Sequence, residues 1–192
     1  QDSYTVPILT MDLQKKTPRG SILLQAGNSD SKADLTEVFN FPDTLWHTNY
    51  LSLSYNEDRG KNPIMARLFG NYMVGNGPTQ SVDSKTYDFE IQQSRSLSAQ
   101  HSLVYGVSHR NSDVKSTLFD TGDKSQNILA GYIQDDWKLS GKTHLFLGER
   151  FDHHSLYGDN LSPRISIVHH LPEQQTMRFS YGTSFRAPTM TD

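Results

Sequence analysis

Apolar and polar residues alternate along most of this chain, most clearly from about Thr48 onward. In an extended strand, residues two apart share a face, so this alternation makes one face apolar and aromatic and the other polar and small. The pattern predicts antiparallel strands, each paired with its sequence neighbours. These are Leu51–Tyr55, Ile64–Val74, Thr86–Ser94, His101–Arg110, Asn127–Lys138, Thr143–Asp152, Pro163–His169 and Met177–Phe185.

Two earlier segments are further candidate strands. Ser21–Gly27 alternates in the same way, which brings the total to about nine usable strands. Tyr4–Leu13 is a weaker candidate because Pro7 interrupts it. The polar stretch Asn28–Glu37 lacks the apolar stripe of an amphipathic helix. The chain is therefore predicted to be all-β.

The predicted connections between these strands alternate in length. The short ones are Asn56–Asn62, Leu97–Gln100, Ser140–Lys142 and Pro172–Gln175, and the long ones are Gly75–Lys85, Asn111–Ser125 and His154–Leu161. Short periplasmic turns and longer external loops are typical of a transmembrane β-barrel. This alternation of short and long connections places Phe185–Pro188 near the extracellular rim. It places Trp137 at the periplasmic rim, where a girdle of aromatic residues is expected.

Composition agrees with a membrane barrel better than with a soluble domain. Hydrophobic residues make up 34% of the chain and the mean hydropathy is −0.63, which is low for a thick soluble core. A soluble antiparallel sandwich is the alternative, because its half-buried strands alternate too. Many of the predicted segments reach the roughly 9–11 residues that a tilted membrane strand needs. The prediction is thus an up-and-down meander that forms part of a transmembrane β-barrel.

Three stretches carry a family resemblance. They are Gly131–Lys138, then Gly148–Asp152 followed by Leu161–Arg164, and finally Phe185–Pro188. In this order they resemble segments on consecutive strands of TonB-dependent outer-membrane receptors. The resemblance implies active import of a scarce nutrient across the outer membrane of a Gram-negative bacterium. A ferric siderophore is the first expectation, and haem or cobalamin are the alternatives within the family. A passive porin or an adhesin-type barrel would explain the alternation but not the ordered stretches.

Residues 1–192 are expected to form an internal fragment of the receptor barrel domain, without the plug domain and the C-terminal strands. About nine strands do not enclose the plugged lumen of a barrel with about 22 strands. The partners that the resemblance implies are outer-membrane lipid, a small iron chelate or similar ligand, and the TonB energy-coupling protein acting through the plug.

Six arginines fall on the predicted lumen face: Arg67, Arg110, Arg150, Arg164, Arg178 and Arg186. Arginine binds carboxylates and other anions through bidentate hydrogen bonds. In the resembled receptors, such arginines contact anionic ligands or form salt bridges with the plug. Arg186, nearest the outer mouth, is the first candidate for ligand binding and Arg110 the second. The other four are predicted to face the lumen or pair with the plug. The alternative is a solvated lumen wall balanced by Asp88, Glu90 and Asp152.

Several other functions are not expected. The chain has no cysteine, and its net charge of −3 gives no basic surface for nucleic acid. The neighbours in His153-His154 and His169-His170 point to opposite faces of a strand, so neither pair is predicted to bind a metal. No cofactor is predicted. The chain contains no nucleophile elbow, P-loop or metalloprotease helix, so no catalytic residues are assigned.

One residue departs from the alternating pattern. Glu149 lies on the predicted lipid face between Leu147 and Phe151. A carboxylate there is costly, although less so near the interface than at the midplane. A β-bulge that turns Glu149 inward is the alternative.

Overall fold

A computed structural model describes residues 6–35, 41–60, 62–78, 80–117 and 122–185. All regular elements in these ranges are β-strands, and they form one antiparallel sheet of eleven strands. The strands are β1 (Ile8–Lys16), β2 (Gly20–Leu35), β3 (Phe41–Glu57), β4 (Ile64–Asn76), β5 (Ser81–Ser96), β6 (His101–Ser116), β7 (Lys124–Lys138), β8 (Thr143–His154), β9 (Gly158–Leu161), β10 (Arg164–His170) and β11 (Thr176–Gly182). No helix long and apolar enough to cross a membrane occurs among these residues.

Strand order follows chain order almost throughout. The sheet runs β1 to β8 and then β10 and β11, and the short β9 pairs with β8 beside this path. The predicted all-β meander is therefore confirmed, and a sandwich of two packed sheets is wrong for the described residues. Strand β9 was not predicted. It lies inside the expected connection His154–Leu161 and pairs Leu161 with Phe151.

Several strands are much longer than the alternation predicts. Strand β3 has 17 residues, and the predicted strand Leu51–Tyr55 covers only part of it. The extra residues mix polar and apolar side chains without regular alternation, as the adjacent Leu45 and Trp46 show. The predicted long loops Gly75–Lys85 and Asn111–Ser125 are wrong in extent for the same reason. Both segments are largely paired strand, with Val82 opposite Ser116, because β4 ends at Asn76, β5 begins at Ser81 and β6 ends at Ser116.

The first and last strands end at other residues than predicted. Strand β1 begins at Ile8, directly after Pro7, so the proline precedes the strand rather than interrupting it. The carbonyl of Pro7 still accepts a hydrogen bond from the Asp30 amide at 3.2 Å. At the other end, β11 stops at Gly182 and does not reach the predicted Phe185. Tyr4 and Pro188 lie outside the described residues.

The register is continuous apart from one shift in the described pairings, between Ala33 and Leu35 near the end of β2. It keeps each face uniform across the sheet. Leu68 on β4 lies between Leu53 and Phe89, whereas its neighbour Arg67 lies between Ser54 and Glu90. Glu149 lies opposite Ile133, and the pairing of β7 with β8 contains no bulge. A bulge that turns Glu149 inward is therefore wrong, and this carboxylate belongs to the apolar face.

The sheet has no thick hydrophobic core. Ala130 is the one buried hydrophobic residue in the described part of the chain. Apart from Gly20 and Gly75, the other buried residues are polar. They are Thr44, Ser52, Asp88, Ser112, His154 and Ser166. Large apolar side chains are exposed instead, with Leu51 at 56% and Phe179 at 62%. A continuous exposed apolar face of this kind requires apolar surroundings.

Candidate functional site

The polar face of the sheet carries a cluster of paired charges at its centre. Asp88 on β5 is only 8% exposed in its side chain, and its Oδ2 lies 2.8 Å from both Nε and Nη2 of Arg110 on β6. Arg67 on β4 approaches from the other side, with Nη2 3.7 Å from Asp88 and 3.5 Å from Glu90. Two arginines therefore share two carboxylates across three adjacent strands.

This cluster continues onto β7 and β8. The hydroxyl of Tyr132 donates toward Glu90 and Gln92, each oxygen being 3.0 Å away. The guanidinium of Arg150 lies 5.9 Å from the centre of the Tyr132 ring, within the range of a cation–π contact. Nη2 of Arg150 is also 2.8 Å from Asp152. Three arginines and three carboxylates on this face thus balance each other.

A second group of arginines lies closer to the short-turn end, on β10 and β11. Arg164 and Arg178 line a small cavity of about 240 Å³ together with Gln134 and Ser166. Nε of Arg178 donates to Ser166 and Ser180 at 3.1 Å each. In the part of the chain that the structure describes, neither arginine has a carboxylate partner. These two cations are available to an anion supplied from elsewhere.

The opposite ends of the strands form a charged rim beyond the apolar residues. Nζ of Lys115 lies 2.7 Å from Asp123, and this hydrogen-bonded carboxylate raises the pKa of the Lys115 ammonium. Both residues line a cavity of about 400 Å³ with Asp83. The described part of the rim is therefore mixed in charge.

Glycines on the polar face lie directly opposite aromatic residues, a pattern that sequence reasoning missed. Gly27 is paired with Tyr50 and Gly106 with Tyr132. A Cβ at Gly27 would lie 2.2 Å from the Tyr50 ring, far inside van der Waals contact. The aromatic rings thus occupy the space above glycine. The missed signal was the combination of glycine and aromatic residues at polar-face positions.

On the apolar face, Trp137 lies at the short-turn end of β7. Its ring stacks on His101 at a centroid distance of 5.2 Å, and Nδ1 of His101 is 2.7 Å from Asp135. The neighbouring Asp136 lies on the other face, where it is 2.9 Å from His144. Tryptophan rings beside charged residues are common where apolar and polar surroundings meet.

No metal site is evident in the described ranges, since they contain no group of three or more histidines, aspartates or glutamates placed to hold an ion. His153 and His154 lie opposite Leu129 and Ile128, on different faces. Arg186, the first candidate for ligand binding, lies outside the described residues, so the structure does not position it.

Single-layer architecture, an exposed apolar face and a polar face of paired charges together define a segment of a transmembrane β-barrel. The family model described as "TonB dependent receptor-like, beta-barrel" matches residues 11–192. The chain therefore belongs to this family of TonB-dependent receptors, whose fold is that of a transport receptor of the Gram-negative outer membrane.

Individual relatives agree with this assignment. The chain is 30% identical over 97 residues to the iron-regulated outer membrane virulence protein of Vibrio cholerae, an alignment that covers 48% of this chain and 15% of the relative. It is 36% identical over 72 residues to the probable TonB-dependent siderophore receptor PirA of Acinetobacter baumannii, covering 36% and 10%. The solved siderophore receptor PirA from Pseudomonas aeruginosa superposes with a TM-score of 0.86 at 19% identity, covering 96% of this chain. The chain spans 34% of that receptor.

Proposed function

We propose that this chain is part of a receptor that binds a ferric siderophore at its outer face and imports it with energy relayed through TonB. The observation that carries the proposal is an arginine-lined polar face on a sheet of the receptor barrel family. Iron complexes of acidic chelators are commonly anionic, and guanidinium groups bind anions well. The relative named a siderophore receptor, at 36% identity, supports the same substrate class. The proposal involves no covalent chemistry.

The arginines divide into two proposed roles. Arg67 and Arg150 already have carboxylate partners, so we assign them to a charge-balanced lumen wall. Arg164 and Arg178 have none among the described residues. We assign these two to anionic groups of the plug, which the polar face would enclose in the complete receptor.

Ligand contact is proposed first for Arg186 and second for Arg110. The guanidinium of Arg110 is bound to Asp88, so a ligand would have to compete with that carboxylate. This competition lowers the expected contribution of Arg110 and leaves Arg186 as the leading candidate. Its assignment rests on the family resemblance of Phe185–Pro188, because β11 ends at Gly182 and its alternation does not extend to Arg186.

The short turns are proposed to face the periplasm. Trp137 and His101 lie at that end, as expected for an aromatic girdle at a membrane interface. Polar strand ends extend from the apolar region at the opposite side, where Lys115 and Asp123 pair. Long, polar strand ends suit the extracellular side of an outer-membrane barrel.

Binding titrations on the purified full-length receptor test the substrate class. A panel of ferric siderophores with catecholate or hydroxamate groups, cobalamin and haem would be compared in the same detergent. We expect saturable binding of at least one ferric siderophore and none of cobalamin or haem. Preferential binding of haem or cobalamin would show that the receptor imports that nutrient rather than a ferric siderophore. Absence of saturable binding to every member would favour a passive porin or an adhesin-type barrel.

A further inference from the structure

The apolar face contains a groove that crosses strands β5 to β8. It has a volume of about 910 Å³, and its lining includes Leu103, Tyr105, Gly131 and Phe151. Gly131 forms an open part of the floor, because a Cβ placed there would meet no atom within 4 Å. The space above it is therefore accessible from the membrane side. A groove with these walls suits a flexible apolar chain.

One end of this groove carries a cation. Arg95 lines the groove beside Leu97, and it lies opposite Leu103 at the end of β5 that leads into a short turn. No ion-pair partner of Arg95 occurs among the described residues. Asp135, on the same face, is already bound to His101 at 2.7 Å. The charge of Arg95 is thus uncompensated at the level where Trp137 marks the membrane boundary.

The far wall of the groove carries the opposite charge. Glu149 on β8 lines it, and its Oε1 is enclosed without a hydrogen-bond partner in the described structure. An anionic group entering the groove is attracted by Arg95 and repelled by Glu149. The two side chains therefore fix which end of an amphipathic anion occupies which end of the groove.

We propose that this groove is a binding site for one glycerophospholipid, with the phosphate on Arg95 and an acyl chain lying over Gly131. The family places this face in the outer membrane, and in the periplasmic leaflet of that membrane the phospholipids are the molecules that combine a phosphate with apolar chains. The assignment to the periplasmic leaflet rests on the proposed orientation of the short turns. The site is independent of which nutrient the receptor imports, so failure of one proposal leaves the other testable.

Native mass spectrometry of the full-length receptor measures this binding directly. The probes are phosphatidylglycerol, a diacylglycerol with the same chains but no phosphate, and inorganic phosphate. The unmodified receptor is expected to bind phosphatidylglycerol about tenfold more tightly than diacylglycerol, the ratio expected from one charge-assisted hydrogen bond. Arg95→Gln should abolish that difference and leave diacylglycerol binding unchanged. Gly131→Leu should weaken binding of both lipids because its side chain fills the groove.

Two control variants match these changes. Arg59→Gln removes an exposed arginine from a short turn at the same end of the sheet. Gly70→Leu adds a leucine side chain elsewhere on the apolar face, where a Cβ meets only the Tyr87 ring at 3.6 Å. Both should bind phosphatidylglycerol like the unmodified receptor. The proposal is overturned if Arg95→Gln retains full phosphatidylglycerol affinity, or if Arg59→Gln loses as much. Displacement of the lipid by inorganic phosphate alone would also overturn it, since it would indicate a simple anion site. If Gly131→Leu fails to fold, the Arg95→Gln comparison decides alone.

Discussion

Removing Arg110 from the polar face should destabilise the barrel measurably, whereas removing Arg67 should have a smaller effect. Arg110 places two nitrogen atoms 2.8 Å from Asp88 Oδ2. Arg67 reaches the same carboxylate only at 3.7 Å. Asp88 has a side chain that is 8% exposed, so Arg110→Ala leaves a largely buried carboxylate with one distant partner.

The expected magnitude follows from these contacts. A hydrogen bond to a charged group contributes about 1.5–3 kcal/mol. The Arg110 side chain is 53% exposed, and solvent screening reduces the value to about 1–2 kcal/mol. The longer contacts of Arg67 correspond to less than about 1 kcal/mol. A double-mutant cycle with Asp88→Ala should give a coupling of about 1 kcal/mol between Asp88 and Arg110.

Urea unfolding of the full-length receptor in lipid vesicles, followed by its heat-modifiable electrophoretic mobility, measures these free energies. Arg67→Ala serves as the control, because it removes the same side chain from an adjacent strand and the same cluster. A coupling near zero, or a larger cost for Arg67→Ala than for Arg110→Ala, would refute the inferred hierarchy of contacts.

Three further results are expected. Arg186→Ala should weaken ligand binding by about 1–3 kcal/mol, as expected when a charged hydrogen bond is lost. An unchanged affinity in a binding titration would show that this arginine does not contact the ligand. Glu149→Leu should leave stability unchanged or raise it by up to about 2 kcal/mol, because it removes a carboxylate from the lipid face; destabilisation in urea would show that this carboxylate has a partner. Gly27→Val should cost about 1–3 kcal/mol by overpacking against the Tyr50 ring, which lies 2.2 Å from a Cβ there. Gly131→Val, with open space above it, should cost less in the same unfolding assay.

The alternation predicted the strands wherever one face is apolar. Segments such as Ile64–Val74 lie within observed strands because an apolar residue at every second position is a direct consequence of lipid contact on one side. Strand ends outside the membrane have no such constraint. Residues 81–85 and 111–116 form paired strand although both faces are polar, so their sequences resemble loops.

The site was predictable in its faces but not in its contacts. The alternation of faces along each strand places Arg67 and Arg110 on the same face as Asp88 and Glu90. The alternation does not predict which arginine contacts which carboxylate oxygen, because this depends on side-chain conformations across three strands. It also gives no reason to expect an unpaired Arg95 at the end of a lipid-facing groove. That arrangement depends on the open space above Gly131 on β7, two strands from Arg95 and therefore distant in sequence.

Uptake of radioactive iron is the measurement that tests the proposed function most directly. The full-length receptor would be expressed in a Gram-negative strain that lacks its own receptor for the ferric siderophore identified by titration, with and without a functional TonB protein. We predict saturable iron uptake that requires both the receptor and TonB, and that is absent from cells with the empty vector. Receptor-dependent uptake that continues unchanged without TonB would contradict active import and indicate a passive pore.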